Sequence, residues 1–303
     1  MTEPLFFAAT ALAQTAATSE KIASHAVPSA SRSETLQAEK ARLDRILRQL
    51  RRNVRPETAP GLTVAASSRQ PRSGRELFAQ RLMALGQGHL YPQLPSNSLA
   101  ATGGATVPQP TYQQWRSLLI QEANQVKQQS VGVLLGDSLS LWFPGDRLPP
   151  NRVWLNQSIS GDTTTGILNR LTAFAQVRPQ VVYLMAGIND LKNGASDRAI
   201  LQNLHQIVQR LRRTHPNAQI VVQSILPTRS LPIASGRIVQ LNHQLQAIAR
   251  QQGAYFLDVH TRMADRDGYL RPELTTDGLH LNQQGYAVWQ TLLQQADVSI
   301  AQR

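Results

Sequence analysis

Val131-Gly132-Val133-Leu134-Leu135-Gly136-Asp137-Ser138-Leu139 is the stretch on which the reading of this chain turns. Val131–Leu135 is short, apolar and rich in β-branched residues, which predicts a strand. Gly136-Asp137 closes the run, and Ser138 stands directly beyond it. The same pattern recurs downstream. Arg152–Leu155, Val181–Ala186, Ile220–Ser224 and Tyr255–Val259 are further strand candidates. Helix candidates lie between them at Thr163–Ala175, Asp197–Arg213 and Gly236–Gln252, with a last one at Asn282–Gln295. Alternation of this kind predicts an α/β domain, a mainly parallel five-stranded sheet with helices on both faces. Ligands meet such sheets at the carboxyl ends of the strands. Ser138, Asn189 and the loop 226–236 therefore fall on one edge.

Upstream the character changes. A helix candidate at Thr111–Lys127 leads into the alternating region, and the domain boundary is placed near 105–110. Residues 1–105 form an N-terminal extension ahead of a domain spanning 106–303. Residues 14–35 are rich in Ala, Ser and Thr and read as a linker. Residues 55–73 and 86–110 are dense in Pro, Gly, Ser and Gln and flank a short helix candidate at Gly74–Leu85. Within the extension, Leu36, Leu43, Ile46, Leu47, Leu50 and Val54 recur at helical spacing, with Lys40, Arg42, Arg45, Arg48, Arg51, Arg52 and Arg55 on the other face. This predicts a basic amphipathic helix over about 34–54. It fits a docking or coiled-coil helix with a solvated basic face, or one lying on an anionic membrane or partner.

Composition narrows the chemistry. With no cysteine among 303 residues, disulfides, thiolate metal sites and a cysteine nucleophile are excluded. The formal charge is +12, and both parts are basic: 15 Lys/Arg face 8 Asp/Glu in residues 1–130, and 16 face 11 beyond. No nucleic-acid motif or aromatic interleaving accompanies that charge, so a soluble protein with an Arg-rich surface is the simpler reading. Leu5–Ala13 is an apolar run ending in Ala11-Leu12-Ala13, like a signal-peptide core with its cleavage site. Glu3 precedes it without any Lys or Arg, which favours a short anchoring or unstructured segment over a secretory signal. The balance tilts toward the cytoplasm and leaves the compartment open.

Four short blocks carry the chemistry: Gly136-Asp137-Ser138-Leu139, then Gly161, then Gly187-Ile188-Asn189-Asp190, then Asp277-Gly278-Leu279-His280. Each alone has an ordinary structural meaning. Ser138 would cap a helix, and Asn189-Asp190 or Asp277-Gly278 would make turns. Together they supply what acyl transfer needs. A serine hydroxyl requires a base to take its proton and donors for the oxyanion that develops. His280 is the candidate base. Asp277, three residues earlier, can reach its Nδ1–H and fix the tautomer. Gly161 can offer an unobstructed backbone N–H, and Asn189 its side-chain amide. Asp137, Asp162 and Asp190 read as hydrogen-bond groups that hold the adjoining loops.

These blocks resemble the SGNH hydrolases, also called GDSL esterases or lipases. Gly136–Leu139 is similar to the nucleophile block, Asn156-Gln157-Ser158-Ile159-Ser160-Gly161-Asp162-Thr163 to the oxyanion-glycine block, Gly187–Asp190 to the asparagine block and Asp277–His280 to the terminal block. The likeness covers about 131–296. One departure is Ser158, where many members carry glycine. The resemblance implies a flavodoxin-like three-layer α/β/α fold and metal-free hydrolysis of esters or thioesters, among them lysophospholipids, acetyl esters and sugar acetates. It also implies the roles: Ser138, Asp277 and His280 as catalytic residues, with the Ser138 N–H, the Gly161 N–H and Asn189 as the oxyanion hole. An acyltransferase using the same acyl-enzyme is the alternative, as is a membrane- or partner-binding protein acting through the 34–54 helix.

No cofactor is expected. His25, His89, His205, His215, His243 and His260 show no paired metal-ligand spacing. There is no Gly-x-Ser-x-Gly elbow and no phosphate loop. The substrate side is read from Leu141-Trp142-Phe143-Pro144-Gly145-Asp146-Arg147. Trp142 and Phe143 are expected to line an acyl or aglycone pocket, with Arg147 beside a polar or anionic group. The competing reading packs them under the next helix. The expected partner is a small-molecule, lipid or sugar ester.

Overall fold

The computed structural model describes residues 111–126, 130–229 and 233–302. The expected extension 1–105, the domain boundary near 105–110, the helices at 34–54 and 74–85 and the Leu5–Ala13 run lie outside the described residues.

Five strands form one parallel sheet: β1 (Val131–Gly136), β2 (Val153–Ser158), β3 (Pro179–Met185), β4 (Gln219–Gln223) and β5 (Tyr255–Leu257), in the order β2-β1-β3-β4-β5. β1 is buried along its whole length, as a central strand covered on both faces must be. Side chains alternate between the faces. Gly132, paired with Trp154, leaves room for that indole: a Cβ there would lie 2.6 Å from its ring.

Helices cover both faces. α1 (Tyr112–Gln125) starts at a capping box formed by Thr111 and Gln114, and its Leu119 carbonyl accepts a hydrogen bond from Gln157 on β2 at 3.0 Å. The last helix, α8 (Gln283–Ala301), covers the opposite face. There the Trp289 indole donates to Gln223 of β4 at 2.6 Å, and Tyr183 of β3 donates to Asp297 at 3.4 Å. Between them in sequence lie α2 (Ser138–Leu141), α3 (Thr164–Arg170), α4 (Ile188–Lys192), α5 (Asp197–Thr214), α6 (Ser235–Gln251) and α7 (His260–Met263). α3 packs on α5, and α5 on α6. α5 buries Ile200, Leu204, Ile207, Val208 and Leu211, a helical stripe. Ser196 caps its first turn, and Arg212 and Arg213 sit at its negative end.

The expected architecture is therefore present: a three-layer α/β/α fold of the flavodoxin-like strand order. Boundaries shift where polar residues are buried. β2 runs on to Ser158 with polar side chains turned into the fold: Asn156 donates to the Ser140 carbonyl and Gln157 to the Leu119 carbonyl, each at 3.0 Å. The expected helix Thr163–Ala175 is α3 followed by a tighter 3-10 turn, Leu171–Phe174. β5 stops at Leu257, and α8 continues past Gln295.

The strand order reverses between β1 and β3. A crevice opens at such a switch point, beyond the carboxyl ends of the two strands. Ser138 follows β1 and Asn189 follows β3.

Candidate active site

Ser138 is the first residue of α2, one turn of helix capped by Asp137, whose Oδ1 accepts the Leu139 N–H at 3.0 Å. The sharp exit from β1 depends on Gly136. A Cβ there would lie 2.4 Å from the Met185 carbonyl and 2.6 Å from the Ser140 hydroxyl. The serine itself is 7% exposed, so its hydroxyl meets the crevice from a packed base.

His280 arrives from the other end of the domain. Its Nε2 stands 3.2 Å from Ser138 Oγ, across 142 residues of sequence. Asp277 holds it at two points: Oδ2 lies 2.6 Å from the ring Nδ1, and Oδ1 accepts the backbone N–H groups of His280 at 2.7 Å and Leu279 at 2.9 Å. Burial alone would raise the Asp277 carboxyl. The bonds from the His280 ring and from the two backbone N–H groups outweigh it and hold the group below the usual carboxylate range. With Nδ1–H donating to Asp277, Nε2 is the acceptor that faces the serine. The turn is pinned from outside as well. Thr228 Oγ1 and the Arg229 N–H, in the loop after β4, donate to the Gly278 carbonyl at 3.0 and 2.7 Å.

Gly161 and Asn189 complete the edge. Gly161 has φ +78°, left-handed backbone that other residues rarely adopt, and a Cβ there would meet nothing within 4 Å. Asn189, 8% exposed in α4, donates one amide hydrogen to the Asp162 carbonyl at 3.0 Å. An Asn amide carries two hydrogens. The second is a candidate for the crevice.

Three carboxyl groups sit behind these residues. Asp190 accepts from the Thr164 N–H at 2.9 Å and from its hydroxyl at 2.5 Å, tying α4 to α3. Asp162 accepts from the Thr163 N–H at 3.0 Å and pairs with Arg170 at 2.6 Å. Burial pushes the Asp162 carboxyl up despite that arginine. Asp137 is enclosed completely. Burial, with Asp162 and Asp190 as negative neighbours, pushes its carboxyl up to about 7 against the lowering effect of the Leu139 N–H.

The expected substrate residues separate. Trp142 lies against the base, its ring centroid 4.2 Å from that of His280. Phe143 is 1% exposed and meets Tyr286 and Trp289 edge-on at 5.5 and 5.2 Å. It belongs to the core under α8, which corrects the pocket-lining expectation: the chain leaves α2 at Leu141, and Phe143 turns inward while Trp142 lies on His280. Arg147 donates one of its N–H groups to the Gln283 carbonyl at 2.9 Å, at the start of α8.

Two features lay beyond the motifs. A cavity of about 490 Å³ opens beside Gly161, lined by Tyr112 and Arg116 of α1 together with Ser160, Thr163 and Asn169. Arg170, only 1% exposed, lies behind the oxyanion-glycine block. A cation on a helix reads from sequence as solvated, and no residue-level signal marks this one as buried. Ser158, the departure from the family pattern, ends β2 fully buried, with its N–H on Asn156 Oδ1 at 3.1 Å, so the serine belongs to the strand and not to the flexible loop.

Residues 97–288 match the GDSL-like Lipase/Acylhydrolase family. The chain is 31% identical over 137 residues to platelet-activating factor acetylhydrolase IB subunit alpha1 of Pongo abelii, covering 44% of this chain and 58% of that one. It is 28% identical over 137 residues to the alpha2 subunit of Rattus norvegicus, covering 44% and 59%. The match thus spans less than two thirds of these curated relatives. Among solved structures, a GDSL-like lipase from Bacteroides thetaiotaomicron superposes with a TM-score of 0.53 at 21% identity, over 60% of this chain and 96% of that one, a likeness of fold.

Proposed function

The chain belongs to the GDSL-like lipase/acylhydrolase family, and on that premise we propose that it is a serine ester hydrolase working through Ser138, His280 and Asp277. The observation that carries this reading is the continuous path from Asp277 Oδ2 to the His280 ring, 2.6 Å, and from His280 Nε2 to Ser138 Oγ, 3.2 Å.

Ser138 Oγ attacks the ester carbonyl carbon while His280 Nε2 takes its proton. Asp277 stabilises the imidazolium that forms. The carbonyl oxygen becomes an oxyanion, and the Ser138 N–H, the Gly161 N–H and the free hydrogen of the Asn189 amide receive it. Each such donor contributes roughly 2.7–4 kcal/mol to the transition state. Collapse breaks the bond to the leaving oxygen, or sulfur in a thioester, which takes the proton back from His280. Water then repeats the sequence on the acyl-enzyme, with His280 removing its proton, and releases the acid.

The relatives' name puts acetyl esters first among substrates to test. The domain responsible is 106–303. Residues 1–105 lie outside the described residues, and the basic amphipathic sequence pattern at 34–54 supports a membrane or protein contact as a second role. Parent and Ser138→Ala proteins assayed on p-nitrophenyl acetate, butyrate and longer esters decide the mechanism. Turnover and phosphonate labelling at Ser138 in the parent, both lost in the variant, is the expected result. Equal rates in both would remove Ser138 as nucleophile.

A further inference from the structure

We propose that Arg170 is a positioning residue that sets the oxyanion donors, acting through Asp162. The proposal rests on the serine-hydrolase reading above and extends it to a side chain that never meets substrate.

The guanidinium is enclosed at the end of α3, with three acceptors from three elements. Nε donates to Asp162 Oδ2 at 2.6 Å, Nη1 to the Gln157 carbonyl at 2.6 Å and Nη2 to the Gly136 carbonyl at 3.0 Å. Gly136 lies two residues before the nucleophile, Gln157 near the end of β2, and Asp162 directly after Gly161. One rigid planar group therefore fixes the end of β1, the end of β2 and the oxyanion loop relative to one another. A planar fork with several donors does this where a point charge on a flexible stem does not.

Gly161 explains why such a fixture is needed. It is exposed, carries no side chain, and a Cβ added to it would find no atom within 4 Å. Side-chain packing therefore does not hold its peptide in place. The nearest anchor is Asp162, and Asp162 is held from both ends. Its carboxylate takes Arg170 on Oδ2, and the Thr163 N–H at 3.0 Å and the Tyr112 hydroxyl at 3.3 Å on Oδ1. Its backbone carbonyl receives the Asn189 amide at 3.0 Å. Rotating the Asp162 unit would move the Gly161 peptide and the Asn189 amide together. Two of the three oxyanion donors thus share one support, and Arg170 sets its angle. Stability alone is a weak reason for such a pair, since buried ion pairs are often matched by apolar residues of similar volume.

Arg170→Lys keeps the charge and loses the fork. The variant is compared with the parent after titrating competent sites with a serine-directed phosphonate, so that unfolded molecules do not count. The readouts are KM and kcat for p-nitrophenyl acetate and the inhibition constant of a trifluoromethyl ketone, whose hemiketal oxyanion occupies the same donors. The expected result is KM within about twofold, kcat lower by about 10- to 100-fold, and ketone affinity lower by a similar factor, a fraction of losing whole donors. Asp162→Asn should shift both readouts in the same direction, and it decides the matter by itself if the lysine variant does not fold. Titrated sites with parental kcat and parental ketone affinity would overturn the proposal and leave Arg170 a purely structural residue. A parent that the phosphonate does not label at Ser138 would instead overturn the serine mechanism, whatever Arg170 does.

Discussion

Replacing Asp277 with asparagine probes the exposed link of the relay. The carboxylate makes three contacts: Oδ2 with the His280 ring, and Oδ1 with the backbone N–H groups of His280 and Leu279. Asparagine keeps an Oδ1 that can serve both N–H groups, so the turn should persist and the melting temperature should change little. What changes is the partner of Nδ1. An amide N–H₂ there favours the tautomer with its proton on Nε2, and that nitrogen, 3.2 Å from Ser138 Oγ, can then no longer accept the serine proton. The charge is lost as well. The Asp277 side chain is 52% exposed, so the effective dielectric lies between a protein-surface value and that of water. At about 4 Å this corresponds to roughly 1–4 kcal/mol of attraction for the imidazolium, or about 5- to 1,000-fold in kcat. The inverted tautomer takes the expected loss to the upper end, toward about 10⁴-fold. The assay is kcat on p-nitrophenyl acetate with sites titrated by phosphonate. The Asp277 carboxyl is held below the usual range, so it remains ionised from pH 5 upward and the parent carries the charge throughout the assay. A folded variant within threefold of the parent at pH 8 would refute the reasoning.

Asn189→Ala should lower kcat by about 10²- to 10³-fold with a small change in KM, as expected for one oxyanion donor; a change confined to KM would assign Asn189 to ground-state binding. Asp137 gives a pH signature in stability. Its folded carboxyl is raised to about 7 from 3.8, so between those values the folded state binds more protons than the unfolded one. Stability should therefore fall as pH rises through that window and level off above it. Asp137→Asn retains the acceptor for the Leu139 N–H and should flatten the melting temperature between pH 4 and 8, and equal slopes in parent and variant would count against the raised carboxyl. Phe143→Ala should cost about 3–5 kcal/mol of stability, measured by urea unfolding, and leave the acyl-chain profile unaltered. Trp142→Ala should do the reverse, changing activity more than stability, and an altered chain-length profile in the Phe143 variant alone would reverse that assignment.

Much of the domain was legible because its signals are local. Short apolar runs alternating with amphipathic helices require neighbours only a few residues away, and they announce the sheet and most of its helices. Asp277 and His280 were readable for the same reason: three residues apart, they can meet across one turn. Errors gathered where polarity and burial part company. Asn156, Gln157 and Ser158 look like loop and are strand; the amide N–H groups of Asn156 and Gln157 donate to backbone carbonyls inside the fold. Phe143, close in sequence to the nucleophile, reads as a pocket residue and is core, because its packing partners Tyr286 and Trp289 come from the far end of the domain.

Periodicity and short motifs were enough for the fold class, the order of strands and helices, and the four blocks that carry the candidate site residues. These follow from hydrophobic periodicity and from short-range stereochemistry, which a chain carries whether folded or not. Packing alone brings Ser138 to His280 across 142 residues, lays Trp142 on the His280 ring and encloses Arg170 behind the loop of Gly161 and Asp162. The physical reason is that burial and long-range hydrogen bonding belong to the packed assembly. An arginine on a helix is solvated or enclosed according to what the rest of the chain places over it.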